Sequence, residues 1–235
     1  MDPLTRQLAR NLERVRAGIA EAARDAGREA DSVCLVAITK YSSIPAARAL
    51  VELGCQDLGE SRPQELWRKA EALRDLPVRW HLIGHLQRNK AARTLPLLTR
   101  IHSIDGPRLL SALEQQAATA GIELRGMLEV NISGEAEKHG WEPAEIDAAL
   151  EQAAACRHVA IDGLMGMSHR PTEGSNDAAV AAADFLELRR LRDRLAERHP
   201  LPELSMGMSD DFAQAIRAGA TFVRVGSALF EGVEG

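Results

Sequence analysis

VCLVAITKYSS, residues 33–43, is the stretch from which the rest of the chain can be read. Seven residues, Val33 to Thr39, contain one polar side chain, and Lys40 follows at once. An apolar run of that length reads as a buried strand. A charge at its end is commonly no more than the chain reaching water, so Lys40 takes its meaning from what surrounds it in the fold.

Runs of the same kind recur: DLGE (57–60), RWHLIG (79–84), RIHSID (100–105), RGMLEVNIS (125–133), IDGLMGM (161–167), ELSMGMS (203–209) and TFVRVGSALF (221–230). Together they make eight candidate strands. Helix-like segments with start and stop signals lie between them. After the first run Ser43 can cap, Pro45 sits in the first turn and Gly54 follows the last apolar position. After the second, Ser61 and Pro63 open a helix whose Leu66, Trp67, Ala70 and Leu73 share a face. The longest helix is expected from Asn176 to about His199, with Leu188, Leu191 and Leu195 facing in and its many charges solvated. Strands that alternate with helices pair in parallel, because parallel neighbours need crossovers. Eight units in 235 residues therefore predict an α/β fold, a single (β/α)8 TIM-type barrel domain over residues 1–235. An open doubly wound sheet is the alternative, but no G-x-G-x-x-G turn follows a strand. After the eighth strand only FEGVEG remains, too short for an eighth outer helix. The amphipathic segment at about residues 3–26 is expected to take its place.

Composition narrows the function. Apolar residues make up 45% of the chain, and the 34 acidic and 29 basic side chains are well mixed, with a net charge of -5. No basic block or stripe stands out, which argues against a nucleic-acid surface. Cys34, Cys55 and Cys156 are odd in number, far apart and without C-x-x-C spacing, as suits free thiols in a reducing cytoplasm. The first residues are too charged for a signal peptide, and no apolar run approaches membrane-spanning length.

In such barrels the chemistry sits at the C-terminal ends of the strands, and Lys40 is at that end of the first. A lysine among apolar walls loses its proton more readily and becomes a nucleophile for aldehydes. If Lys40 points inward, Val36 and Ile38 do too. On the eighth strand Val223 and Val225 suit packing against helices, which turns Arg224 inward. An inward arginine needs a partner or a ligand, and an ion pair with Glu129 is a nearly level alternative to ligand binding. Gly226 and Ser227 offer bare N–H groups and a hydroxyl at the top of strand eight, and Ser209 offers a second hydroxyl at the top of strand seven. These are the usual phosphate loops of the fold. Ser209 also has the look of an N-cap for the next helix. HLIGH, residues 81–85, lacks the glutamate of a zinc helix and sits on a strand, so metal is rejected and His81 reads as a satisfied core histidine. Lysine, phosphate loops and arginine together describe a phosphorylated aldehyde, and pyridoxal 5'-phosphate (PLP) fits. An aldolase-like use of Lys40 on a phosphosugar stays open on these residues.

LVAITK, WHLIGHLQRNK, HSID, VNISGEAEKHG, GLMGM, SMGMSDDFAQAI and VRVGSALF resemble, nearly end to end, the pyridoxal phosphate homeostasis protein family (YggS type). The resemblance implies the barrel of the alanine racemase N-terminal domain, with PLP held as a Schiff base on Lys40. It also implies phosphate contacts at Ser209, Gly226 and Ser227, ring-nitrogen contact by Arg224, and Asn131 and Met206 near the cofactor. The expected role is a cytoplasmic, monomeric carrier or regulator in PLP homeostasis that serves PLP-dependent apo-enzymes, without amino-acid turnover of its own. A racemase-like enzyme is the alternative. Racemisation needs a second acid/base opposite the lysine, and Tyr41, the one tyrosine, is expected on the other side of the strand. The chain departs from the family at Gly59-Glu60-Ser61, where asparagine is usual in place of Ser61, and in ending soon after the eighth strand.

Overall fold

A computed structural model describes residues 1–135, 137–169 and 177–233 of the chain. Eight parallel strands close a barrel in sequence order: β1 (Cys34–Ile38), β2 (Asp57–Glu60), β3 (Arg79–Leu82), β4 (Leu98–Ile104), β5 (Leu124–Val130), β6 (Val159–Gly166), β7 (Glu203–Ser205) and β8 (Phe222–Val225). The ring shuts where β8 pairs with β1, with Val36 opposite Arg224 and Ala37 opposite Val225.

Outside lie α2 (Ile44–Glu52), α3 (Pro63–Ala72), α4 (Ala91–Thr94), α5 (Pro107–Ala120), α6 (Ile146–Ala154), α7 (Asp177–Leu195) and α8 (Phe212–Arg217). The remaining place on the ring belongs to α1 (Pro3–Asp25), which packs against α8 and α2. Asp2 caps α1 by accepting from the Thr5 N–H, and Leu8, Leu12, Val15 and Ile19 form its buried stripe. From the same face Asn11 donates to the carbonyls of Leu229 and Glu231, at 2.9 and 2.8 Å, tying α1 to the loop after β8. Among the described residues no helix is long and apolar enough to cross a membrane.

Two expectations change. Asn176 lies outside the described residues, and α7, with 19 residues, is shorter than the 23-residue α1. Residues 196–199 turn instead of continuing, because Pro200 disfavours helical backbone at the position before it. β7 and β8 also stop earlier than their apolar runs, at Ser205 and Val225. Gly207 follows with φ +90°, and a Cβ there would meet the Ala215 Cβ at 2.5 Å, so the chain leaves the sheet through a turn that only glycine fits. The freed segments become the loops of the cleft described below.

The strands separate two layers. Ala37, Leu58, Leu82, Ile101, Val223 and Val225 face outward into an apolar layer shared with the helices. Each such fully buried Leu, Ile or Val side chain contributes about 1.5–3 kcal/mol. Val36, Ile38, Met127 and Met165 are buried apart from that layer, inside the barrel, in company with His81, His102, Glu129, Ser205 and Arg224.

Candidate cofactor cleft

A cleft of about 530 Å³ opens at the C-terminal ends of β1, β7 and β8. Lys40, Ser209, Arg224, Gly226 and Ser227 all line it, beside Ile38 and Ser61. Residues up to 187 positions apart in sequence thus meet through the closure of β8 onto β1.

Lys40 stands two residues beyond β1, exposed, and its ammonium forms no ion pair among the described residues. It lies 5.1 Å from the centre of the Tyr41 ring. Tyr41 lines the same cleft and is 82% exposed, so it does not turn to the far side as strand alternation suggested. The reason is local: β1 ends at Ile38, and past it the chain enters a turn where alternation no longer applies.

Beneath Lys40 is a buried ion pair that sequence reasoning missed. Lys69 of α3 and Glu60 at the end of β2 meet at 2.6 Å, both side chains fully buried. Lys69 also donates to the Thr39 carbonyl, and the Thr39 hydroxyl donates to Glu60 at 2.6 Å. The pair therefore grips the residue before Lys40 from both sides. Its signal was present: Lys69 falls three residues after Leu66 and four before Leu73, on the buried face of α3. Ser61 faces the cleft and does not cap α3, whose N-cap is Arg62. Gly84 lets the β3 end press on it, since a Cβ there would lie 2.4 Å from the Ser61 carbonyl oxygen.

At the other wall, the Ser209 hydroxyl accepts from the Gly226 and Ala228 N–H groups at 3.2 and 3.3 Å. Both lone pairs are used, so its own proton is free to point into the cleft. The N–H groups of Ser209, Asp210 and Ser227 have no partner among the described residues. Ser209 does not cap α8, which begins at Phe212 with Asp211 in the N-cap position. A hydroxyl donor and free N–H groups in one small concavity make an anion cup.

Arg224 is inside the barrel and 4% exposed. Its guanidinium donates to the Ser205 hydroxyl at 2.8 Å and to the Gly166 carbonyl at 3.0 Å. No ion pair with Glu129 forms. Burial lowers the Arg224 pKa to about 10, which still leaves it charged at neutral pH. Glu129 is pushed up to about 7, by burial first and by Asp105 next, against the pull of Arg224 and His85. His81 is buried and hydrogen-bonded, as a core histidine should be. His85 is on the rim, where its Nδ1 meets Asp105 at 2.6 Å. His85, Asp105 and His139 bring three possible ligand atoms within 4.8 Å of one another.

Asn131 and Met206 are not part of the cleft lining. Asn131, just past β5, donates to the Glu135 carbonyl and to Glu142, while its Oδ1 is buried without a partner among the described residues. Met206 is fully buried in the outer apolar layer. The five residues that do converge suit PLP: an amine for an aldehyde, a cup for a phosphate, and a charged donor for a pyridine nitrogen.

The sequence family described as alanine racemase, N-terminal domain, matches residues 7–233. The chain is 38% identical over 224 residues to the pyridoxal phosphate homeostasis protein of Pseudomonas aeruginosa, covering 95% of this chain and 94% of that one. It is 41% identical over 217 residues to the protein of the same name from Deinococcus radiodurans, covering 92% and 97%. Among solved structures, PipY of Synechococcus elongatus with PLP bound is 33% identical, with a TM-score of 0.81 over 95% of this chain and 99% of that one.

Proposed function

The chain belongs to the alanine racemase N-terminal domain family and, within it, to the pyridoxal phosphate homeostasis proteins, and from that premise we propose that it binds PLP in this cleft and acts as a carrier or regulator of the cofactor. The observation that carries the reading is the meeting of Lys40, the Ser209–Gly226–Ser227 cup and Arg224 in one cleft of about 530 Å³. PLP brings to such a site an aldehyde for an amine and a ring that can draw off electrons. Lys40 would hold the aldehyde carbon. Ser209, through its hydroxyl, and Ser227, through its N–H, would hold the phosphate, with bare backbone at Gly226 allowing close approach. Arg224 would donate to the ring nitrogen. Residues 1–235 then serve as one cofactor-binding domain.

What favours a carrier over an amino-acid enzyme is Arg224. A guanidinium has donors only, so it keeps the ring nitrogen without a proton and the ring a weaker electron sink. One observation favours a second reading, a weak racemase-like activity: Tyr41 lines the cleft and so brings a second acid/base group to the site, although it stands beside Lys40 and would have to reach the face opposite it. The carrier reading also includes a cytoplasmic monomer that passes PLP to apo-enzymes, and the free state of Cys34, Cys55 and Cys156 is in keeping with a reducing compartment.

Borohydride reduction of the PLP-loaded protein and peptide mapping should place the label on Lys40. A label mainly on Lys90 or on Lys138, which is already engaged with Ser133 and the Ser168 carbonyl, would refute the site. Transfer of PLP to an apo-enzyme faster than through free solution supports the carrier. Turnover of L- or D-amino acids well above that of free PLP, abolished in Lys40→Ala, overturns it in favour of the enzyme.

A further inference from the structure

We propose that Ser205, His102, His81 and Asp57 form a one-way hydrogen-bond chain across the barrel interior whose role is to position Arg224 for the ring nitrogen of bound PLP; this rests on the cofactor reading above. The links are short and continuous. Arg224 Nη1 lies 2.8 Å from Ser205 Oγ, which lies 2.8 Å from His102 Nδ1. His102 Nε2 lies 2.9 Å from His81 Nδ1, and His81 Nε2 lies 3.0 Å from Asp57 Oδ1. The path runs from β8 through β7, β4 and β3 to the start of β2, out of the cleft and down to the opposite mouth of the barrel. Ser205 and His102 are fully buried, and His81 is 2% exposed.

The two ends, with neutral imidazoles between them, set the direction of every link. A guanidinium has only donors and an ionised carboxylate only acceptors. Arg224 must therefore donate to Ser205. At the far end Asp57 is held ionised: burial opposes this, but hydrogen bonds from Arg79 and His81 outweigh it and keep its pKa below the usual carboxylate range. His81 must then donate through Nε2. In a neutral ring that leaves His81 its Nδ1 lone pair to accept from His102 Nε2–H, and His102 Nδ1 then accepts from the Ser205 hydroxyl. Deep burial keeps His102 neutral, as this arrangement requires.

Two features mark the chain as more than filling. Barrel interiors are commonly layers of branched apolar side chains, and buried polar groups are unfavourable unless every one is satisfied. No atom of this chain is left without a partner. Second, Arg224 is held only by neutral acceptors, Ser205 and the Gly166 carbonyl, with no carboxylate in ion-pair reach among the described residues. Its orientation is fixed without a direct carboxylate contact, and Asp211 and Glu129 act on its charge only from farther off. A direct Arg–carboxylate pair would have fixed the orientation and spent the charge.

Nitrogen-15 NMR tests both parts. In the unloaded protein, the side-chain shifts of His81 and His102 should report the Nε2–H tautomer at both; Nδ1–H at either overturns the direction. In protein loaded with ring-labelled PLP, His102→Phe should move the ring-nitrogen resonance toward that of PLP on a simple amine and weaken affinity by about 10-fold, with the borohydride label still on Lys40. His102→Gln, whose amide can accept from Ser205 and donate to His81, should restore the wild-type resonance. A folded His102→Phe with an unchanged resonance, or a His102→Gln shifted as far as the phenylalanine variant, overturns the proposal. If His102→Phe does not fold, Ser205→Ala decides by the same shift. A wild-type protein that takes no label on Lys40 sinks the cofactor reading and this proposal together; a labelled protein with an unmoved resonance sinks this proposal alone.

Discussion

On β8, Val223 and Val225 turn outward into a layer of leucines, valines and alanines, while Arg224 between them turns inward to Ser205. On β4, Ile101 goes out and His102 goes in. The outer layer is joined by non-directional contact, which responds to volume and tolerates repacking. The interior column is joined by hydrogen bonds with fixed donors and acceptors, where a change at one link alters the next. The outer layer holds the barrel shut; the column orients what the barrel presents at its mouth.

The sharpest test of that division is an exception to it, the Lys69–Glu60 pair buried in the outer layer. Lys69→Met would leave a buried carboxylate without a cation and should lower unfolding free energy by about 3–5 kcal/mol, read by urea denaturation. The double variant Lys69→Met with Glu60→Leu should recover most of that loss. A single variant as stable as wild type would show that the pair is not held as tightly as its burial says.

Next in size is a change at the mouth that touches neither layer. Gly226→Asp adds a Cβ that meets Ile38 at an ordinary 3.4 Å, so the barrel should fold unchanged. The added carboxylate would face the phosphate in the proposed cup, and PLP affinity measured by absorbance titration should fall by about 100-fold or more. Unchanged affinity would move the phosphate elsewhere.

Smaller again is the pH response at the top of the column. Glu129 has a folded pKa of about 7, above its unfolded value of about 4.3. Between those values the folded state keeps a proton that the unfolded state has lost, so stability falls as pH rises from about 4 to 7 and levels off above. Glu129→Gln should match wild type near pH 4 and be the more stable of the two at pH 8. Equal stability at both pH values would mean that the interior near Glu129 is wetter than its burial implies. Least of all should be Lys40→Ala: this exposed side chain belongs to neither layer, so the urea midpoint should not move while the borohydride label disappears.

The outer layer was the legible one. Apolar runs gave the eight strands, and the valines flanking Arg224 gave its direction. Lys40, Ser209, Gly226 and Ser227 were legible because strand ends and small residues carry meaning in this fold. The column was not. Asp57 and His102 lie in runs read as strands, yet nothing local tells a polar residue turned to the barrel axis from one turned to water. Their partners are 24 and 103 residues away. Lys69 showed its buried place on α3, but its pairing was hidden because Glu60 is on a different element. The misplacement of Tyr41 had a different origin, a strand two residues shorter than its apolar run.

The tie between Asn11 and the carbonyl of Leu229 spans 218 residues, and this governs the order of events during synthesis. α1 leaves the ribosome long before the surfaces that cover its apolar stripe, α8 and the loop after β8, are made. Until then Leu8, Leu12, Val15 and Ile19 lack the larger part of their cover and have α2 and the turn at residues 30–32 beside them. Contacts of such sequence separation form slowly, and exposed stripes invite association. The nascent chain therefore carries an unprotected sticky face through most of its translation, and the same event that buries it, the docking of β8 on β1, is the one that first brings Arg224 and Gly226 alongside Lys40.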